Sequence, residues 1–219
     1  MRSVGLLVLV LAVAIAAAAP ASAASLTTLS RCYQEQGDVV ATGAGYAASS
    51  VVTLTRDGTN IGSVATDAQG AFKGKFATPK LPTGVYERVY DLVATDGTNS
   101  ALGRYRATKL VADFSPGSGN LKTLRVRFRI RGFNLLKAGS TVFMHYVRPN
   151  GSLRKTVRLG VARGACGHIR RTKQRRLFPF AATRGRWALQ FDTRKTYTRA
   201  TATSNFVWVR RPVEVFGQG

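Results

Sequence analysis

Cys166 stands two residues before His168 and close to Arg170 and Arg171, a setting in which positive neighbours lower a thiol pKa and favour the thiolate. Nucleophilic catalysis would also need a third group to orient the histidine, and the run Gly164-Ala165-Cys166-Gly167 supplies none. Metal ligation would have to gather Cys32, His145, Cys166 and His168, whose spacing matches no zinc pattern. Hydrolysis by paired carboxylates finds only Asp192 and Glu214 after residue 113. The acids of the first half, chiefly Asp57, Asp67 and Asp96, fall in turn sequences where their side chains cap backbone groups. No glycine-rich phosphate loop opens a helix. These readings point away from an enzyme and imply no cofactor and no metal.

The chemistry that the residue types favour is electrostatic. The 219-residue chain carries 33 Lys and Arg against 10 Asp and Glu, a net charge of +23. Residues 25–112 are close to balanced, with 9 basic and 7 acidic side chains, whereas residues 114–219 hold 23 basic and 2 acidic ones. Such asymmetry implies two units with different jobs, the second facing something anionic. Its densest cluster, His168 to Arg176, contains Arg170, Arg171, Lys173, Arg175 and Arg176 and no acid. Upstream, Arg125, Arg127 and Arg129 alternate strictly with apolar residues. A strand of that pattern packs one face and presents on the other a row of guanidinium groups about 7 Å apart. The two groups of arginines together suit a polyanion, because the guanidinium fork matches phosphate and carboxylate oxygens. The competing reading is a solvated face produced by GC-rich coding, which 24 Arg against 9 Lys would also give. The aromatics interleaved here, Phe178, Phe180, Trp187, Phe191, Phe206 and Trp208, are expected in the core; the even spacings 187/191 and 206/208 put each pair on one strand face.

The elements that must position these residues are strands. After residue 24 no stretch keeps a 3.6-residue apolar period over three turns. From 27 to 112, period-2 runs are punctuated by the turn sequences Arg56-Asp57-Gly58-Thr59, Asp67-Ala68-Gln69-Gly70 and Asp96-Gly97-Thr98-Asn99, of which the Asp-Gly pairs are the strong hairpin signals. About seven short strands in that span suggest a sandwich. Ser115-Pro116-Gly117-Ser118-Gly119-Asn120 reads as linker. Beyond it the strands recur, with echoes of the first unit: Gly132-Phe133 matches Gly45-Tyr46 and Gly185-Arg186-Trp187 matches Gly84-Val85-Tyr86. The expected organisation is a signal peptide over 1–23, one domain over 27–112, a linker over 113–120 and a basic domain over 121–216. The signal is read from Arg2, the apolar run Val4 to Ala19 and the small residues Ala21-Ser22-Ala23, which suit cleavage before Ala24 and export. In an exported chain Cys32 and Cys166 permit one disulfide that would clamp the first unit to the second, with two free thiols as the alternative.

The run Gly43-Ala44-Gly45-Tyr46, Asp57-Gly58-Thr59, Asp67-Ala68-Gln69-Gly70-Ala71-Phe72, Gly84-Val85-Tyr86 and Ala94-Thr95-Asp96-Gly97 resembles the bacterial immunoglobulin-like modules of secreted and surface proteins. The pattern Leu159-Gly160, Gly164-Ala165-Cys166-Gly167, Arg175-Arg176-Leu177-Phe178-Pro179-Phe180, Gly185-Arg186-Trp187 and Gln190-Phe191-Asp192-Thr193 is similar to an uncharacterised module of secreted proteins from high-GC Gram-positive bacteria. The resemblances imply an all-β chain of two tandem immunoglobulin-like β-sandwich domains after a cleaved signal peptide. For such an exported chain the expected partner of Arg125, Arg127, Arg129, Arg170, Arg171, Lys173, Arg175 and Arg176 is an anionic envelope polymer, teichoic acid or acidic polysaccharide, or extracellular DNA. The alternative function is an interaction or accessory module that recognises an envelope protein.

Overall fold

The computed structural model describes residues 23–170 and 172–216, so the expected signal peptide lies, but for Ala23, outside the described residues. Among the described residues every regular element is a strand, and no helix is long and apolar enough to cross a membrane.

The first sandwich contains β1 (Ser25–Thr28), β2 (Cys32–Gln34), β3 (Asp38–Ala44), β4 (Val51–Arg56), β5 (Thr59–Ala65), β6 (Phe72–Ala77), β7 (Glu87–Thr95) and β8 (Ser100–Thr108). They form a three-stranded sheet β1-β3-β6 and a five-stranded sheet β2-β8-β7-β4-β5. The chain changes sheets between β1 and β2, so β2 lies parallel to β8 whereas all other pairings are antiparallel. Alternation decides what is inside: Val39 and Ala41, Val52 and Leu54, and Tyr90, Leu92 and Ala94 point into one core around Tyr105, whose ring contacts Tyr33, Phe76 and Tyr90. Asp57 and Gly58, with φ of 48° and 81°, close the β4–β5 hairpin in the left-handed region that a two-residue turn requires. Gly70 is fixed by close approach, because a Cβ there would lie 2.0 Å from the Tyr46 carbonyl oxygen. Asp96 ties two loops together: its carboxylate accepts from the backbone N–H groups of Ala47, Thr98 and Asn99 at 2.7, 2.9 and 2.6 Å. Those donors hold its carboxyl well below the usual carboxylate range.

The second sandwich contains β9 (Val111–Ser115), β10 (Arg125–Arg131), β11 (Thr141–Val147), β12 (Leu153–Val161), β13 (Arg175–Arg176), β14 (Gly185–Asp192) and β15 (Trp208–Val215). Its sheets are β13-β10-β9 and β12-β11-β14-β15. Between them pack Val126, Phe128 and Ile130 of β10, Met144 and Tyr146 of β11, and Trp187, Leu189 and Phe191 of β14. Phe178 belongs to the same core and Phe180 packs against it, whereas Phe206 is buried outside it beneath Arg194 and Trp208 is half-buried, so the core expectation fails for that pair. The Tyr146 hydroxyl donates to the Leu177 carbonyl at 2.6 Å; burial pushes its pKa far up, and the nearby Arg175 cation opposes the shift. Gly45 and Gly132 share a φ of 81° and each delivers a buried aromatic, Tyr46 or Phe133, from the end of the corresponding strand, β3 or β10.

Residues 111–115, read from the sequence as the end of the first domain and the start of the linker, pair with β10, and Ala112 joins the second core. The period-2 alternation of Ala112 and Phe114 against Val111 and Asp113 outweighs the Pro/Gly/Ser signal, which takes effect after Ser115.

A polar network seals the outer face of the β12-β11-β14-β15 sheet. His145, Gln190 and Asp192 are all fully buried. His145 reaches Thr156 through Nδ1 at 2.8 Å and Asp192 through Nε2 at 3.1 Å. Asp192 also accepts from the Arg194 backbone N–H and from Gln190 Nε2, and Gln190 in turn donates to the Thr198 carbonyl and accepts from the Ala200 N–H. Residues 194–200 are thereby held over this face, and Tyr197 lies against the His145 ring.

Two outcomes follow from these buried and capped acids. Asp192→Ala removes one partner of a buried pair and orphans several donors. It is expected to lower unfolding free energy by about 3–5 kcal/mol, read by urea denaturation with tryptophan fluorescence. Asp96 titrates below its unfolded-state value of about 3.9, so its contribution is complete above that pH and is lost as pH falls through the depressed native pKa. Wild type is expected to melt at higher temperature than Asp96→Ala at neutral pH, and the gap is expected to narrow below about pH 4.

Candidate anion-binding face

With residues 194–200 covering one side of the second sandwich, the open side is the outer face of β13-β10-β9. Along β10 the buried residues Val126, Phe128 and Ile130 point inward, and Arg125, Arg127, Arg129 and Arg131 therefore point outward. β13 adds to this row selectively. Arg176 lies opposite Arg125 and Arg175 opposite Val126. Directly paired residues project to the same side, so Arg176 joins the outward arginines and Arg175 turns toward the core side, near Tyr146. The expectation that both would serve one surface is corrected by this register: neighbours on a strand face opposite ways.

Arg170 and Lys173 are exposed on the segment entering β13, while Arg171 lies outside the described residues. Ile169 bridges Ile130, and Thr172 returns the chain to β10 through its backbone N–H and its hydroxyl, both bonded to Phe128. This path sets Arg170 beside the end of β10 that carries Arg129.

The electrostatics of the face follow from where the carboxylates are. Asp113 of β9 sits opposite Arg129 but accepts from Arg211 at 3.1 Å. Asp38, Asp57, Asp91 and Glu214 pair with Lys75, Arg88, Arg104 and Arg186. Asp67 and Asp96 cap turns, Glu35 accepts from the Leu81 N–H, and Asp192 is buried with His145. Among the described residues no carboxylate is within ion-pair distance of Arg125, Arg127, Arg129, Arg170, Lys173 or Arg176.

The two sandwiches meet beside this face. Cys32 and Cys166 are joined by a disulfide with 5.2 Å between their Cα atoms, so Cys166 is neither a free thiolate nor a metal ligand beside His168. His168 Nε2 bonds Glu87 of β7, which also accepts from Arg106 of β8 at 2.9 Å. Arg131 lies over the Tyr86 ring, 4.6 Å from its centroid. Sequence reading does not single out Tyr86, Glu87, Arg106 or Arg131 in these roles, since the spacings that join them to the second sandwich are long; the one available signal is that Arg131 continues the alternation of Arg125, Arg127 and Arg129.

No family model matches the chain, and no curated protein matches it. Among solved structures it is similar to dimeric latent PorU from Porphyromonas gingivalis, with 15% identity and a TM-score of 0.33 over 86% of this chain; the chain spans 19% of that protein. It is also similar to a segment of two fibronectin type-III domains from chicken tenascin, with 10% identity and a TM-score of 0.29 over 87% of this chain and 97% of that one. The human OSCAR ligand-binding domain shows 9% identity and a TM-score of 0.33 over 89% and 98%. The strand pairing and the two separate cores described above define the architecture as two tandem immunoglobulin-like β-sandwiches.

Proposed function

We propose that this chain is an exported, non-enzymatic protein whose second sandwich associates electrostatically with an anionic cell-envelope polymer. The binding surface is the outer face of β13-β10-β9, and the single observation that supports it most is the row Arg125, Arg127, Arg129 and Arg176, on one open sheet face and in no ion pair, since Asp113 opposite Arg129 is engaged by Arg211. Guanidinium groups so arrayed can engage successive anionic units of a polymer bidentately without first breaking an internal ion pair. Recognition of an envelope protein would draw instead on exposed apolar residues of the first sandwich. Of these, Val89 and Leu102 are interleaved with the Asp91–Arg104 and Glu87–Arg106 pairs, which breaks up the patch those two would form.

The test is retention of the full chain on immobilised poly(glycerol phosphate) and, in parallel, on duplex DNA, as a function of salt. Affinity is expected to fall steeply with ionic strength. The triple variant Arg125→Ser, Arg127→Ser, Arg176→Ser is expected to reduce the slope of log affinity on log salt for DNA by about 2.7, near 0.9 for each phosphate no longer neutralised. The control Arg154→Ser, Lys155→Ser, Arg158→Ser removes the same charge from β12, outside the proposed face, and is expected to change the slope little. Equal losses in both variants would reduce the face to general basicity and overturn the proposal, as would retention that salt does not affect.

A further inference from the structure

Where the arginine face of the second sandwich runs into the first, a cleft of about 690 Å³ is lined by residues of both: Glu87 and Arg106 from the first, and Arg129, Arg131, His168 and Arg170 from the second. Its construction follows from one backbone pairing. Ile130 and Ile169 bridge each other and turn toward the core, which leaves Arg129 and Arg131 on one strand and His168 and Arg170 on the other facing the opposite way. That side looks onto the ends of β7 and β8. The only carboxylate in the lining, Glu87, is already engaged twice, by Arg106 and by His168. Arg131 is stacked on Tyr86. Arg129 and Arg170 form no ion pair among the described residues, Asp113 opposite Arg129 being engaged by Arg211, and the lining carries four arginines against Glu87, a clear excess of positive charge.

Three separate elements supply the donors: β8 with Arg106, β10 with Arg129 and Arg131, and the 168–170 segment with Arg170. Donors that converge from three elements suit a tetrahedral oxyanion, whose oxygens point in several directions, better than a planar carboxylate, which one guanidinium fork saturates. The walls are also held in place. Cys32 is the register partner of Arg106 in the β2–β8 pairing, and its disulfide partner Cys166 follows the lining residues Gly164 and Ala165 and precedes His168 by two. A covalent bond therefore ties the two sides of the cleft directly behind its charged groups, fixing their separation before a ligand arrives.

We propose that this inter-sandwich cleft binds a phosphoryl group, with Arg129 and Arg170 as its principal partners. Only the source of the phosphate, a sugar- or polyol-phosphate unit of the polymer rather than a free small phosphate, rests on the functional reading above. The experiment is a titration of the full chain with inorganic phosphate at constant ionic strength, followed through arginine Nε–H signals in NMR spectra. Saturable shifts are expected at Arg129 and Arg170, with Arg125 and Arg176 little moved. Arg170→Ser is expected to weaken phosphate binding at least tenfold, whereas the pair Arg125→Ser, Arg176→Ser leaves it unchanged. Cys32→Ser with Cys166→Ser is expected to weaken it as well, with both sandwiches still folded by circular dichroism. Shifts that do not saturate, that are equal at all exposed arginines, or that survive Arg170→Ser would overturn the site. Competition by poly(glycerol phosphate) identifies the polymer as the source, and competition by glycerol 3-phosphate alone identifies a small ligand; either upholds the phosphoryl site. Saturable phosphate binding in a chain that poly(glycerol phosphate) fails to retain would sink the polymer reading alone, and retention without saturable binding would sink the cleft alone.

Discussion

Scarcity of carboxylate governs this molecule. Ten acids must serve 33 basic side chains, and each acid is committed to nearby backbone or side-chain partners. Asp67 and Asp96 satisfy turn N–H groups, Asp192 organises a buried network, and Glu87 joins the two sandwiches through His168. Even Asp113, which shares the outer face of β13-β10-β9 with Arg129, is engaged by Arg211 and leaves the arginine row without an ion pair. The positive surface is thus a consequence of how the acids are used in folding, as well as of the number of arginines.

That commitment also decides which side of the second sandwich can meet a ligand. A β-sandwich has two outer faces, and here residues 194–200 are pinned across one of them by Asp192 and Gln190. The other is left to β10, whose strict alternation turns every second side chain outward. The same strand that contributes Val126, Phe128 and Ile130 to the core therefore supplies the arginine row, and core packing gives that row a rigid base. Long side chains on a fixed strand keep a near-constant spacing, which a flexible basic tail would not provide.

The all-β class, the two sandwiches and the arginine row of β10 were legible because they depend on period-2 alternation and turn chemistry, both local. Asp57-Gly58 closes a hairpin where its positive φ values require. The split between Arg175 and Arg176 was not legible, because it depends on a two-residue pairing with β10 that leaves no periodicity of its own. The strand Val111–Ser115 was obscured by the linker composition that follows it, although Ala112 and Phe114 carry the alternation. The junction was least accessible: Glu87 and His168 are 81 residues apart, and nothing in either neighbourhood announces the other. Cys32 and Cys166 alone hinted at it, since pairing between the halves was one of two open alternatives.

The proposed cleft would give a nearly neutral sandwich a role beside a strongly basic one. A single basic sheet face is open on one side and can offer a polyanion only a flat surface. Placing β7 and β8 of the first sandwich against the end of β10 adds a second wall, and that wall brings Arg106 together with the one carboxylate needed to orient His168. Tyr86 performs a related service by receiving Arg131 on its ring, which holds that cation at the corner without neutralising it. With the disulfide closing the same corner, the relative placement of the walls does not depend on weak surface contacts alone. In the proposed site the first sandwich would thus form one wall, because without it the arginines at the end of β10 would face open solvent, where salt screens each of them separately.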